Sequence, residues 1–157
     1  MSLRVTVLDC KPETVYQETV YEQIIIVETA AGNTFGIFDN DMDVPSDIIG
    51  NIIELDVWLL PRSKRIETID EPRKDIVPNE EEPHGFSNHR FYGEIISLEE
   101  HTDDSYVSEI DVGPGTVIVY PFKSQNQHLS VGDTVYLEAS RTDVAGLINE
   151  ESHSRGQ

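Results

Sequence analysis

Asp39-Asn40-Asp41-Met42-Asp43 sets three carboxylates at alternate positions, the spacing with which calcium loops present oxygen ligands to a hard cation. Asp39, Asp41 and Asp43 are therefore candidate metal ligands. The rest of an EF-hand loop does not follow: Val44 stands at its sixth position in place of Gly, and Gly50 at its twelfth in place of Glu. Glu99-Glu100-His101-Thr102-Asp103-Asp104 gathers a second donor set on an expected hairpin turn. His84 and His89 lie near Glu80, Glu81 and Glu82 and offer imidazoles to a transition metal. One function class these residues admit is a metal-assisted enzyme, hydrolase-like, working through clustered carboxylates. The competing reading is composition: in a chain with 30 Asp and Glu such runs arise easily on solvated loops.

The other available chemistry is anion recognition. Arg62, Lys64, Arg65, Arg73 and Lys74 place much of the chain's complement of 11 Lys and Arg between Pro61 and Asp75. Guanidinium forks suit phosphate or carboxylate. Glu67, Asp70, Glu71 and Asp75 lie among them, so the segment is an island near neutrality on an acidic background. Trp58 and Arg90-Phe91-Tyr92 would add flat stacking surfaces if the fold brings them close. Arg62, Lys64, Arg65, Arg73, Lys74 and Trp58 are thus the expected ligand-binding set, for an anionic ligand, a nucleic acid or a protein partner. The bland reading is an exposed hairpin whose charges pair locally and add little stability. The chain has no Gly-x-Ser-x-Gly elbow, no phosphate loop followed by Lys and no dinucleotide fingerprint. The expectation is a non-catalytic binding or assembly module without a cofactor.

The formal net charge of -19 governs how any such surface behaves. That much like charge opposes the compact state in dilute buffer, and molar salt screens it to a length of about 3 Å. Carboxylate excess with four Lys against seven Arg resembles the protein surfaces of extreme halophiles and gives the chain an archaeal-type composition. Cys10 is the single cysteine, which rules out an intramolecular disulfide and a Cys-rich zinc site. No signal-peptide pattern follows Met1 and no apolar run approaches membrane-spanning length, so a cytoplasmic protein is expected.

Positioning these residues falls to strands. β-branched and aromatic runs divided by Gly, Pro, Asn and Asp predict strands at Leu3 to Cys10, Tyr21 to Thr29, Thr34 to Phe38, Ile52 to Leu60 and Arg65 to Ile69. A helical turn is expected across Pro45 to Ile49. Further strands are predicted at Phe91 to Leu98, Ser105 to Val112, Thr116 to Phe122 and Thr134 to Ala139. The chain divides into a first β unit (1–69), a Pro- and acid-rich linker or long loop (70–89), a second β unit (90–148) and a flexible tail (149–157). The two units share a layout: Thr34 and Thr116, Gly50 and Gly132, and Leu55 and Leu137 are each 82 positions apart. The first strands align only if the first unit carries about six extra residues between Cys10 and Tyr21. The fold expected is all-β: two small barrels, or one β-sandwich, formed from an internal duplication. The strand order of each unit resembles an OB-type barrel, with its long first hairpin, third strand, connecting loop and Gly-led strand.

Overall fold

The structure is a computed structural model, and it describes residues 2–150. It is built almost entirely of strands: β1 (Leu3–Tyr16), β2 (Thr19–Glu28), β3 (Thr34–Asp39), β4 (Ile52–Pro61), β5 (Glu67–Ile69), β6 (Asp75–Val77), β7 (His89–Glu100), β8 (Tyr106–Asp111), β9 (Thr116–Val119) and β10 (Thr134–Glu150). Alternation selects the faces. Leu3, Val5 and Val7 of β1 and Ile53, Leu55, Val57 and Leu59 of β4 are all buried, while their neighbours in sequence face outward. They meet Ile25, Val27, Phe35 and Ile37 from one unit and Phe91, Ile95, Ile110, Val117 and Val119 from the other in one continuous core.

The pairings run round two rings that share the antiparallel pair β4–β10. One ring is β1–β2–β3–β10–β4, and the other is β7–β8–β9–β4–β10. Each is completed by a strand from the other unit, through a single parallel contact: Phe38 with Asp143, and Ile118 with Trp58. Several local features recur in the two units. Val7 exchanges backbone hydrogen bonds with Asn51 (3.0 Å) and Gly50 (2.7 Å), and Ile95 does so with Asp133 (2.9 Å) and Gly132 (2.8 Å). Gly50 and Gly132 hold φ of 92° and 97°, the left-handed region that glycine enters without a Cβ penalty. A 3-10 turn precedes each of them, Ser46–Ile48 and Lys123–Gln125. An irregularity follows Val7 in the β1–β2 ladder and Ile95 in the β7–β8 ladder. Leu3 opposes Leu55 as Phe91 opposes Leu137.

Three elements run differently from the sequence pattern. β1 continues past Cys10 to Tyr16, because Cys10 to Tyr16 pair with β2 around a turn at Gln17 and Glu18, both at positive φ. β10 continues past Ala139, because Arg141 to Glu150 pair along β4. Within 70–89, Asp75–Val77 forms β6 against β7, with Ile76 buried. The remainder of that segment is held down. The Gly36 N–H donates to Pro83 O (2.9 Å), the Thr142 N–H to Phe86 O (3.0 Å) and the Asn88 N–H to Ala139 O (2.7 Å). His89 is fully buried at its end: Nδ1 accepts from the Asn79 N–H (3.0 Å), and Nε2 lies 3.0 Å from Gly36 O and 2.8 Å from Gly85 O. Accepting at Nδ1 leaves the proton on Nε2, where both carbonyls can receive it. Of the expected tail, Asn149 and Glu150 pair with β4 at Glu54 and Ile53; residues 151–157 lie outside the described part of the chain. Among the described residues no helix is long and apolar enough to cross a membrane.

Candidate functional site

The basic residues separate into two groups, and most are neutralised locally. Arg73 pairs with Asp75 at 3.0 Å and lays its guanidinium 3.7 Å from the centre of the Tyr92 ring. Lys74 bridges Asp111 (3.0 Å) and Glu94 (3.7 Å). The Tyr136 ring lies 4.9 Å from that of Tyr92, tilted by 43°, and lines a shallow depression with Arg62, Arg65, Glu67 and Glu138. Arg62 donates to Asn88 Oδ1 (2.7 Å) and lies 3.8 Å from Glu138, and Arg65 leans on His128 at 3.3 Å. The fold therefore joins Arg73, Tyr92, Tyr136, Arg62 and Arg65 into one strip across β6, β7, β10 and β5. The acids of the same strands largely compensate it. Trp58 does not belong to this strip, and Phe91 is buried in the core.

The three aspartates at 39, 41 and 43 point to different ends. Asp39 is fully buried, and its carboxylate accepts from the Asp43 N–H (2.9 Å), the Val44 N–H (2.9 Å) and Gln23 Nε2 (2.8 Å). It thereby braces the loop behind β3, as an Asx turn does. Asp41 is exposed, and Asn40 Nδ2 donates to it. The Asp43 carboxyl is pushed above its usual range by burial, then by the neighbouring charges of Asp39 and Asp41. Among the described residues no group of three or more His, Cys, Asp or Glu converges to hold a metal ion. On the β7–β8 hairpin, Glu100 pairs with Lys123, while the Thr102 and Ser105 hydroxyls bond each other at 2.8 Å. Cys10 is half-buried, and burial, Asp9 and Asp39 push its thiol up to about 11, far from a reactive thiolate.

A different surface gathers Trp58. β4 and β9 pair, in parallel, at Trp58 and Ile118 alone. Beside this pairing lies a cleft of about 370 Å³, lined among others by Trp58, Leu60, Lys64, His101, Tyr120 and Phe122. The Tyr120 ring meets Trp58 edge-on at 6.3 Å and His101 at 4.7 Å, spacings at which aromatic pairs attract. Leu60, Tyr120 and Phe122 remain 43%, 38% and 49% exposed. Lys64 has no ion-pair partner shown among the described residues, and its side chain stands between the cleft and the loop of Asp103 and Asp104. Of the residues expected to bind a ligand, Trp58 and Lys64 come together here; Arg62, Arg65 and Arg73 lie on the strip and Lys74 beyond it. The sequence does not single out Tyr120, Phe122 or Leu60, and it offers His101 only as a metal donor. Tyr120-Pro121-Phe122 reads there as the tail of a strand, and only the crossing of β9 to β4 makes it a wall. No protein-family model matches this chain, and no curated protein matches it either.

Proposed function

We propose that the chain is a non-catalytic binding or assembly module whose contact surface is the cleft of Trp58, Tyr120 and Phe122, lined also by Lys64. The observation that carries this reading is the exposure of Leu60, Tyr120 and Phe122 side by side around one concavity. Contiguous exposed apolar surface is costly for a monomer and marks interaction sites, and aromatic-lined concavities are where binding energy concentrates. The test is an NMR titration of the full chain in molar KCl with indole and phenol fragments. Shifts confined to Trp58, His101, Tyr120 and Phe122, and abolished by Phe122→Glu, are expected. Shifts scattered over the surface would remove the cleft from consideration.

A second reading keeps the contact on the Tyr92–Tyr136 strip with a polyanion, and the stacking of Arg73 on Tyr92 at 3.7 Å favours it. The cleft is preferred because Arg62 and Arg73 already face Glu138 and Asp75. Oligonucleotide binding that is lost in Arg62→Glu with Arg65→Glu, while fragments leave the cleft unperturbed, would move the contact surface to the strip.

The same proposal includes the origin of the fold. The two units are read as copies of one β-β-β-turn-β element, related by an approximate dyad through β4–β10. The recurrent Val7–Gly50 and Ile95–Gly132 hydrogen bonds, at matching glycine φ, support it. So does the third strand of each copy pairing with the last strand of the other. Within each copy the strand order remains the one that resembles an OB-type barrel.

A further inference from the structure

The first hairpin carries an extension that the second does not. Val7 and Ile95, which make the same backbone hydrogen bonds, lie 88 positions apart, whereas Thr34 and Thr116 lie 82 apart. β4 pairs with Leu3 to Thr6 of β1, and β3 with Gln23 to Glu28 of β2, so residues 13–22 have no third strand beside them. They pair only with one another: Thr14 with Glu22, Val15 with Val20 and Tyr16 with Thr19. A bare two-stranded hairpin is marginal in water. This one closes through Gln17 and Glu18 at φ of 50° and 66°, a turn that Asn-Gly makes with less strain. It also holds Val15, Tyr16 and Tyr21 at 55%, 63% and 53% exposure. The second unit closes its β7–β8 hairpin without such an arm, so the fold itself does not require it.

The arm is matched by another surface of the same molecule. Among the described residues four Phe and Tyr side chains are exposed: Tyr16 and Tyr21 on the arm, Tyr120 and Phe122 at the cleft. His101 already lies against the Tyr120 ring at 4.7 Å and 42°, so Phe122 and Leu60 present the broader open apolar surface there. The charges are opposite. The arm tip carries Glu13 and Glu18, for which no ion pair is shown among the described residues. In the loop after β4, Lys64 and Arg65 have no ion pair shown either, and Arg65 has only His128 at 3.3 Å. Ser63 of that loop lines both the cleft and the depression beside it, which keeps these cations next to the apolar surface.

Resting on the binding reading above, we infer that the partner of the cleft is a second copy of this chain. The arm of one molecule sets Tyr16 and Tyr21 against Leu60 and Phe122 of the next, with Glu13 and Glu18 beside Lys64 and Arg65. The two surfaces differ, so the contact is heterologous and repeats until a ring closes or a filament runs on. Molar salt permits the encounter. It screens the repulsion between two chains of net charge -19 beyond about 3 Å, whereas ion pairs in contact act within that length.

The experiment is sedimentation velocity of the full chain in molar KCl over a concentration series. Species heavier than one chain, growing with concentration, are expected. Tyr16→Glu with Tyr21→Glu on the arm, or Phe122→Glu at the cleft, should each weaken the association roughly tenfold or more. All three positions are exposed, and far-UV circular dichroism checks that both variants fold. Mixing the variants gives the sharper result, because each retains the half that the other has lost. At a concentration where either alone is a single chain, the mixture should form a two-chain complex and nothing larger. A wild-type chain that stays monomeric at millimolar concentration overturns the inference. So does assembly that either variant leaves unchanged, or a mixture without the two-chain complex. If the wild-type chain stays monomeric while indole and phenol fragments bind the cleft, the second-copy inference fails and the binding reading stands. If the fragments do not bind either, both fail.

Discussion

At the scale of single residues, the buried polar groups carry the clearest consequences. His89 is held neutral: burial lowers its pKa below the ordinary 6.5, although the carbonyls of Gly85 and Gly36 pull the other way. The unfolded chain therefore binds a proton in a range where the folded one does not. The histidine's contribution to stability is complete above about pH 6.5 and declines as pH falls toward the depressed native value. Thermal unfolding between pH 7.5 and 5 should show this decline. His89→Gln should lower stability at pH 7.5 and flatten the slope; an unchanged slope would assign the acid sensitivity elsewhere. Thr142 presents the opposite case. It is fully buried, its hydroxyl has no hydrogen-bond partner among the described residues, and its N–H serves Phe86. An unpaired buried hydroxyl costs about 1–3 kcal/mol. Thr142→Val keeps the shape and removes that cost, so a gain of about 1 kcal/mol in urea unfolding is expected; a loss would mean that the hydroxyl finds a partner in solution.

At the scale of elements, the segment 83–88 and glycine at 36 depend on each other. A Cβ at Gly36 would run into the carbonyl oxygens of His84 and Gly85. Gly36→Ala should push the segment off β3 at a cost of about 1–3 kcal/mol, and should uncover Phe38. Hydrogen exchange at Asn88 and Thr142, whose N–H groups bond Ala139 and Phe86, would accelerate first; unchanged protection there would show that the segment shifts without detaching. This element also marks where the sequence was legible. The alternating runs around Val5, Ile25, Leu55, Ile95 and Val117 foretell strands because one face of each is core. The stretch 70–89 reads as a linker because its prolines and acids mask a half-buried ring, Phe86, that lies on Phe38, and only two buried residues, Ile76 and His89. β10 beyond Ala139 is hidden for a related reason: Arg141 and Asp143 pair with each other at 2.7 Å and break the apolar alternation. Trp58 and Lys64, which line the cleft, stand out in the sequence by their chemistry. Tyr120 and Phe122 do not, because a parallel contact between distant strands creates their setting and leaves no local periodicity.

At the scale of the whole molecule, charge and topology set the behaviour. The salt bridges of Arg4, Arg62, Arg73 and Lys74 are all solvent-exposed, so screening them removes little. Screening the net charge of -19 removes much more. The melting temperature should therefore rise as KCl increases from millimolar to molar; full cooperative stability in dilute buffer would contradict the halophilic reading of the composition. The shared β4–β10 pair predicts a single transition as well. Trp58 fluorescence and far-UV circular dichroism should give coincident urea curves, and two separated curves would show that the units melt independently. The same pair dictates an order of events. β3 and β4 are made early but receive their β10 neighbour only when Asp143 and its surroundings have been synthesised. Closing both rings thus demands contacts of high sequence separation, which slows folding. Until then the nascent chain shows open strand edges at Phe38 and Leu59, the kind that invite pairing with other chains. A dense like charge is a physical deterrent to that encounter, so the acidity that burdens the finished fold also guards the unfinished one.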